Sequence, residues 1–476
     1  MRPPQSHWIG GRALAEGSDP LPVRNPATEE VLDHIPAQAG AAVDEAVAAA
    51  RQAFPAWAAR SPGDRKALLD RAAALLEQHA ETLARQLTLE MGKPLAQSRG
   101  EVGASAELVR QMGVLSLHLR AGSQMAAGGF LNFQQRVARG VAAVIVPWNY
   151  PLVAGIESVA ANLAVGNTVV WKPSEKTPLS SRLAVELAFG HLPAGVCNLL
   201  LGNGPGAGAP LVEHPGVALV VFIGSEGAGR RIGASCGRDL KKMVLELGGK
   251  DALIVDETVD VAAAARFAAE AAFANAGQIC TSTERLYVAR QVFDPFVEAL
   301  AREAAAIRVG DGLDPSTQMG PIVDALQLDV IAGHVGDARA RGATARHGGE
   351  RLARPGYFFP PTVMTGVPGD SPLMSDETFG PVAPCVAFDD FEQALALANA
   401  SRFGLSAIVC TESAPRALHA VHTLRAGMVR INTMRGRSPA ATSEPFGASG
   451  IGHGYGVEFL QELTQQKSVY WRDRLP

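Results

Sequence analysis

Two hydrophobic periods divide this chain of 476 residues. From Ala41 to about Ala59, and again from Arg65 to about Met91, apolar residues return at helical spacing among charged ones, which predicts amphipathic helices acting as scaffold. From Arg139 the texture changes to short apolar runs: Gly140 to Val146, Asn167 to Trp171, Cys197 to Leu201, Val217 to Ile223 and Lys242 to Leu247. Helical stretches separate them, and that alternation predicts a parallel sheet wound with helices, as in nucleotide-binding folds. A second series of the same kind begins after Gly248 and runs to Pro445, while 121–138 and 459–476 read as isolated strands. The expected architecture is α/β. A Rossmann-like parallel-sheet domain takes residues 1–120 and 139–248, a second α/β domain takes 249–445, and a small β extension takes 121–138 and 459–476.

Composition narrows the partners. Hydrophobic content of 47% and charged content of 19% are ordinary for a globular enzyme. A net charge of −4 gives no ground for a nucleic-acid or membrane partner. Five cysteines, Cys197, Cys236, Cys280, Cys385 and Cys410, are odd in number and lack metal-ligand spacing. They argue against a disulfide framework and a zinc site, and for a reducing compartment with no metal. The N-terminus lacks the apolar run of a signal peptide, and no stretch reaches the roughly 20 apolar residues of a membrane span, so a cytoplasmic location is expected.

One cysteine stands in special surroundings. The alanine-rich run Val261 to Ala276 predicts a helix that Gly277 stops, and Arg285 to Ala289 predicts a strand. Cys280 falls in the connection, where free backbone N–H groups can stabilise a thiolate or an oxyanion. Upstream lie Leu245-Glu246-Leu247-Gly248-Gly249-Lys250 and Pro147-Trp148-Asn149-Tyr150-Pro151, the second placing an asparagine between prolines at a strand end. With Phe273-Ala274-Asn275-Ala276-Gly277-Gln278-Ile279-Cys280 and Arg285, these segments resemble the aldehyde dehydrogenase superfamily. Its signatures are a P-W-N-[FY]-P turn, an E-L-G-G-K segment and an F-x-N-x-G-Q-x-C-x-x-x-x-R loop. The resemblance extends from Asn25-Pro26-Ala27-Thr28 to Pro445-Phe446-Gly447.

The resemblance implies a chemistry. Cys280 attacks an aldehyde, the Asn149 amide and the Cys280 N–H hold the oxyanion of the thiohemiacetal, and Glu246 activates the water that hydrolyses the thioester. It also implies that Lys172 and Glu175, from Lys172-Pro173-Ser174-Glu175, bind the adenosine ribose. A carboxylate there accepts hydrogen bonds from a free 2′-hydroxyl and repels a 2′-phosphate, so NAD is favoured over NADP. Phe222-Ile223-Gly224-Ser225 resembles the pyrophosphate turn, making Gly224 and Ser225 cofactor candidates along with Gly204, Trp148, Ile145 and Leu247. Glu377 and Phe379, in Glu377-Thr378-Phe379-Gly380-Pro381, match the segment that holds the nicotinamide ribose and walls the ring. The 121–138 and 459–476 strands correspond to the family's oligomerisation sheet, implying a homodimer or homotetramer.

Three places depart from the family pattern. Ser158 stands where a lysine assigned to a proton relay is usual, His453-Gly454 replaces an Arg-Glu pair, and the motif after Pro445-Phe446-Gly447 is shortened. Tyr150, Ala154 and Glu157 share a helical face expected to line the substrate tunnel, together with Ala274, Ile279 and Thr281. Glu157 favours a cationic or hydrogen-bonding aldehyde, whereas Arg435 and Arg437 favour an acidic one. Two alternatives stand beside hydrolytic NAD-dependent oxidation: acyl transfer to coenzyme A, against which Glu246 counts, and a non-catalytic binding role.

Overall fold

The computed structural model describes residues 6–119, 123–126, 130–434, 438 and 441–472, with the backbone alone described for 123–126 and 130. Two parallel sheets form its centre. The first has the strand order Arg12–Leu14, His7–Ile9, Cys197–Leu199, Thr168–Lys172, Val141–Ile145, Val217–Ile223, Lys242–Glu246, Gly450–Ile451. Its five inner strands run parallel, and the pairs at either edge are antiparallel. Val141–Ile145 shows why this sheet is sandwiched. All five residues are buried; Ala142 and Val144 enter one apolar cluster, while Val141, Ala143 and Ile145 enter another on the opposite face.

The second sheet runs Thr344–His347, Thr362–Thr365, Val382–Phe388, Thr283–Ala289, Asp251–Val255, Ser406–Cys410, Met428–Ile431, parallel except at its first pair. It has its own core, with Leu253, Val255, Leu286, Val288 and Val409 fully enclosed. The α/β architecture read from the sequence is the one observed. A third sheet of three strands, ordered Thr464–Arg472, Phe130–Ala138, Ser123–Ala126, stands apart from both.

Several local expectations change. The run Arg65 to Met91 is two helices, Pro62–Gln78 and Ala80–Met91, with His79 between them. Ser61 caps the first by accepting the Asp64 N–H, and Gly92, at φ 88°, closes the second. Residues 459–462 belong to the helix Gly456–Glu462, so the last strand begins only at Thr464. Phe459 and Leu460 on that helix are buried in the first core, where an isolated strand could not have taken both.

Candidate active site

The carboxyl edge of the first sheet faces the amino edge of the second. In the first sheet the chain winds outward from Val141–Ile145 through Thr168–Lys172 to Cys197–Leu199, then resumes on the other side at Val217–Ile223. The strand order therefore reverses between Val141–Ile145 and Val217–Ile223, the place where such sheets open a crevice for ligands. Trp148 and Asn149 leave one of these strands, and Gly224 and Ser225 leave the other. Across the crevice, Gly248–Lys250, Cys280–Ser282 and Phe379–Pro381 each lead into a strand of the second sheet.

The loop that carries Cys280 is built differently from its sequence pattern. Asp260 caps the helix Val261–Phe273 by accepting the Ala263 N–H. The helix ends at Phe273, before Gly277, and Asn275, Ala276 and Gly277 all take left-handed backbone at φ 50°, 55° and 69°. Asparagine and glycine tolerate that region; alanine does not without support. Gln278 gives the support: its Nε2 donates to the Asn275 and Pro321 carbonyls at 3.0 and 3.3 Å, and its Oε1 accepts from Val323 N at 2.9 Å. Glycine at 277 is obligatory, since a Cβ there would stand 2.1 Å from the Gly380 carbonyl oxygen.

This loop presents a half-exposed Cys280, while the other four cysteines are buried. Burial pushes the thiols of Cys197, Cys385 and Cys410 up to about 12 and raises that of Cys236, keeping them protonated. Asn149 is buried beside the loop, and its side-chain amide donates to the Gln278 carbonyl at 3.0 Å. Tyr150 opens the helix Pro151–Ala164. Burial, then the negative charges of Glu101 and Cys280, hold its phenol well above its ordinary value.

Glu246 ends its strand between Ile223 and Gly450. Its carboxylate lies against Gly454, where an added Cβ would stand 2.2 Å from Oε1. Lys250, four residues on and fully buried, pairs with Glu284 at 2.6 Å. Gly249 follows closely enough that a Cβ on it would meet the Cys280 carbonyl at 2.9 Å. Cys280, Asn149 and the Glu246–Gly249 segment thus share one neighbourhood.

On the cofactor side, Lys172 is buried and pairs with the part-exposed Glu175 at 3.1 Å. Ser225 holds the N-cap position of the helix Glu226–Arg238, and Leu247 packs where a side chain on Gly229 would stand. Ile145 is a core residue at the end of its strand. Gly204 has open space around it and opens a short π-helical turn, Gly204–Gly208; glycine is required instead at Gly206, whose Cβ would lie 2.5 Å from the Ala37 carbonyl. Glu377 accepts the Gly249 N–H at 3.0 Å, and desolvation, then the charge of Glu284, raise its carboxyl. Phe379, left-handed at φ 51°, meets the Trp148 ring edge-on at 5.3 Å. That strained turn is held by Glu284, which accepts the Thr378 and Phe379 N–H groups at 2.8 and 2.7 Å.

Of the tunnel candidates, Ala154 and Glu157 are buried, while Tyr150, Ala274, Ile279 and Thr281 are half-buried at the nucleophile loop and the start of the Asn149 helix. Arg435 and Arg437 lie outside the described residues. Sequence reasoning missed Gln278, Lys93, Glu101 and Glu284. Gln278 stands in the quoted segment as the polar residue directly after Gly277, and its support of the loop shows only once the left-handed backbone is known. Lys93 follows a helix-stopping glycine and precedes a proline, a poor setting for a solvated charge.

The aldehyde dehydrogenase family model matches residues 14–469, and the chain belongs to that family. It is 38% identical over 489 aligned positions to the phenylacetaldehyde dehydrogenase of Pseudomonas fluorescens, covering 98% of this chain and 96% of that protein. It is 37% identical to the betaine aldehyde dehydrogenase of Cereibacter sphaeroides, covering 98% and 97%. Among solved structures, the NAD⁺ complex of an aldehyde dehydrogenase from Bacillus cereus superposes with a TM-score of 0.95 at 33% identity, covering 99% of this chain and 97% of that one.

Proposed function

We propose that the protein oxidises an aldehyde to a carboxylic acid with NAD, through a covalent adduct on Cys280 that is released by hydrolysis. The observation that carries this reading is the half-exposed Cys280 thiol on a loop hydrogen-bonded to Asn149, with the Glu246–Gly249 segment against its backbone. The Cys280 sulfur bonds the carbonyl carbon, and the carbonyl π pair moves to oxygen. The Asn149 amide, turning from Gln278, and the Cys280 N–H are the donors for that oxyanion. When bound, NAD would supply the acceptor for the hydride that leaves as the adduct's C–H bond breaks and its oxyanion becomes a thioester carbonyl. Glu246 then takes a proton from water, whose oxygen attacks the resulting thioester; the C–S bond breaks and the thiolate is restored.

The residues fit a dinucleotide. The turn at Gly224 and Ser225 stands at the start of a 13-residue helix beside the strand-order reversal. Lys172 and Glu175 offer a donor and an acceptor for a ribose, Trp148, Ile145 and Leu247 give apolar walls, and Glu377 and Phe379 face them from the second sheet. Glu175 is the ground for preferring NAD to NADP. The three-stranded sheet is read as the contact of a homodimer or homotetramer.

The test is NADH formation at 340 nm against aliphatic, aromatic, amino- and carboxy-aldehydes, with NAD⁺ or NADP⁺ and without coenzyme A. Cys280→Ala is expected to abolish turnover. Glu246→Gln is expected to leave one burst of NADH and cut steady turnover by about 10²-fold or more. Undiminished turnover in Glu246→Gln removes it as the base, and a requirement for coenzyme A replaces hydrolysis by acyl transfer.

A further inference from the structure

Beneath the Asn149 turn lies an ion pair that the chemistry above does not use. Lys93 sits between the helices Ala80–Met91 and Leu95–Leu117, with its side chain fully enclosed. Its ammonium has three contacts: Glu101 Oε2 at 2.5 Å, the Asn149 carbonyl at 2.7 Å, and the Tyr150 ring, whose centroid is 3.6 Å away. Those occupy everything an ammonium can offer. Glu101, equally enclosed, uses its other oxygen to accept the Leu152 and Val153 N–H groups at 3.0 and 3.2 Å, two of the free donors at the start of the Asn149 helix.

The pair therefore grips the backbone on both sides of Tyr150, with the cation on the carbonyl before it and the anion on the amides after it. Its own seat is fixed. Gly92 packs so closely on Pro321 that a Cβ would lie 2.5 Å from that ring, Leu95 N donates to the Gly312 carbonyl at 2.9 Å, and Pro321 accepts from Gln278. Gln278 in turn accepts the Asn149 amide. Lys93, Asn149, Gln278, Pro321 and Gly92 close a ring of contacts that ties the turn to the nucleophile loop. A buried ion pair roughly breaks even in stability against apolar replacements, so stability alone does not account for one here.

We propose that Lys93 and Glu101 are positioning residues for Asn149, fixing the backbone so that its side-chain amide is aimed at the oxygen of the adduct on Cys280. This rests on the role given to Asn149 above. The test uses the full-length protein with NAD⁺ and its best aldehyde, and compares Lys93→Met/Glu101→Gln with Asn149→Ala and with the triple variant. The double change leaves no uncompensated buried charge. If it does not fold, Lys93→Gln/Glu101→Gln, which likewise leaves no buried charge, is read in the same way.

The expected result is a loss of about 10²-fold in the NADH burst rate, comparable to removing an oxyanion donor, with NAD⁺ affinity unchanged. In the Asn149→Ala background the same changes are expected to cost nothing further, because the group they aim is gone. A structural role alone would lower the melting temperature and slow the burst equally in both backgrounds; that outcome overturns the proposal. An intact burst in the pair variant, beside a lost one in Asn149→Ala, overturns it while leaving the reaction standing. An intact burst in Asn149→Ala overturns both.

Discussion

The Glu246 carboxylate occupies the volume that any side chain at residue 454 would need. Gly454→Ala pushes that carboxylate aside, and because only hydrolysis uses it in the proposed reaction, the two halves of that reaction are expected to separate. Steady turnover should fall roughly tenfold, part of the way to the loss of a general base, while the NADH burst stays intact. A slowed burst would show instead that Gly454 serves the nucleophile. The segments that carry the proposed chemistry stand out in the sequence: Cys280 and Asn149 lie in turns, and Glu246 ends a strand before one, marked by their glycines or prolines. Lys93 and Glu101 do not, because the backbone groups they hold lie some fifty residues away in sequence. The helix Ala80–Met91, expected as scaffold, and the helix Leu95–Leu117 bracket Lys93, and Glu101 on the second holds the backbone that follows Asn149.

Among the elements, the five inner strands of the first sheet and the helix Ala42–Ala58 were recovered within two residues, whereas the last strand and the helix before Cys280 were not. Val217–Ile223 matches its apolar run, since burial on both faces marks a strand directly in sequence. The helix before Cys280 ends at Phe273 because Gln278 and the Gly380 backbone hold the next residues in left-handed geometry, a tertiary cause that alanine content hides. The helix Leu179–Ala184 is tied at its start by Glu90, which accepts the Leu179 and Ser180 N–H groups at 2.7 and 2.8 Å. Burial raises that carboxyl to about 7, against the pull of those hydrogen bonds, and the charge of Glu101 adds to the rise. Its ordinary value is 4.5, so between pH 4.5 and about 7 the folded chain keeps a proton that the unfolded chain has released. Its contribution to stability therefore falls as pH rises through that window and is level above it. Glu90→Gln does not titrate. The urea midpoint of the wild type relative to this variant should decline from pH 4.5 to 7 and then stay constant; a relative rise would reverse the assignment.

At the scale of the whole molecule, two sheets meet edge to edge and the site is the seam between them. The third sheet points elsewhere: Trp471 pairs across its strands with Leu131, and both are exposed, as is Tyr470. In the proposed homo-oligomer this exposed apolar cross-strand pair would be part of the contact with a second copy. Trp471→Glu is expected to shift the protein to a smaller species by light scattering after gel filtration; a wild-type monomer, or an unchanged mass in the variant, removes the assembly role. Along the seam, the backbone of Gly277 rests on that of Gly380 with no side chain between them. A contact of bare backbone leaves no rotamer to absorb a change on either side. Any side chain at 277 would have to displace the backbone of Gly380 and Pro381 itself, so the loop that carries Cys280 and the turn that carries Phe379 are built to fit one another at that point.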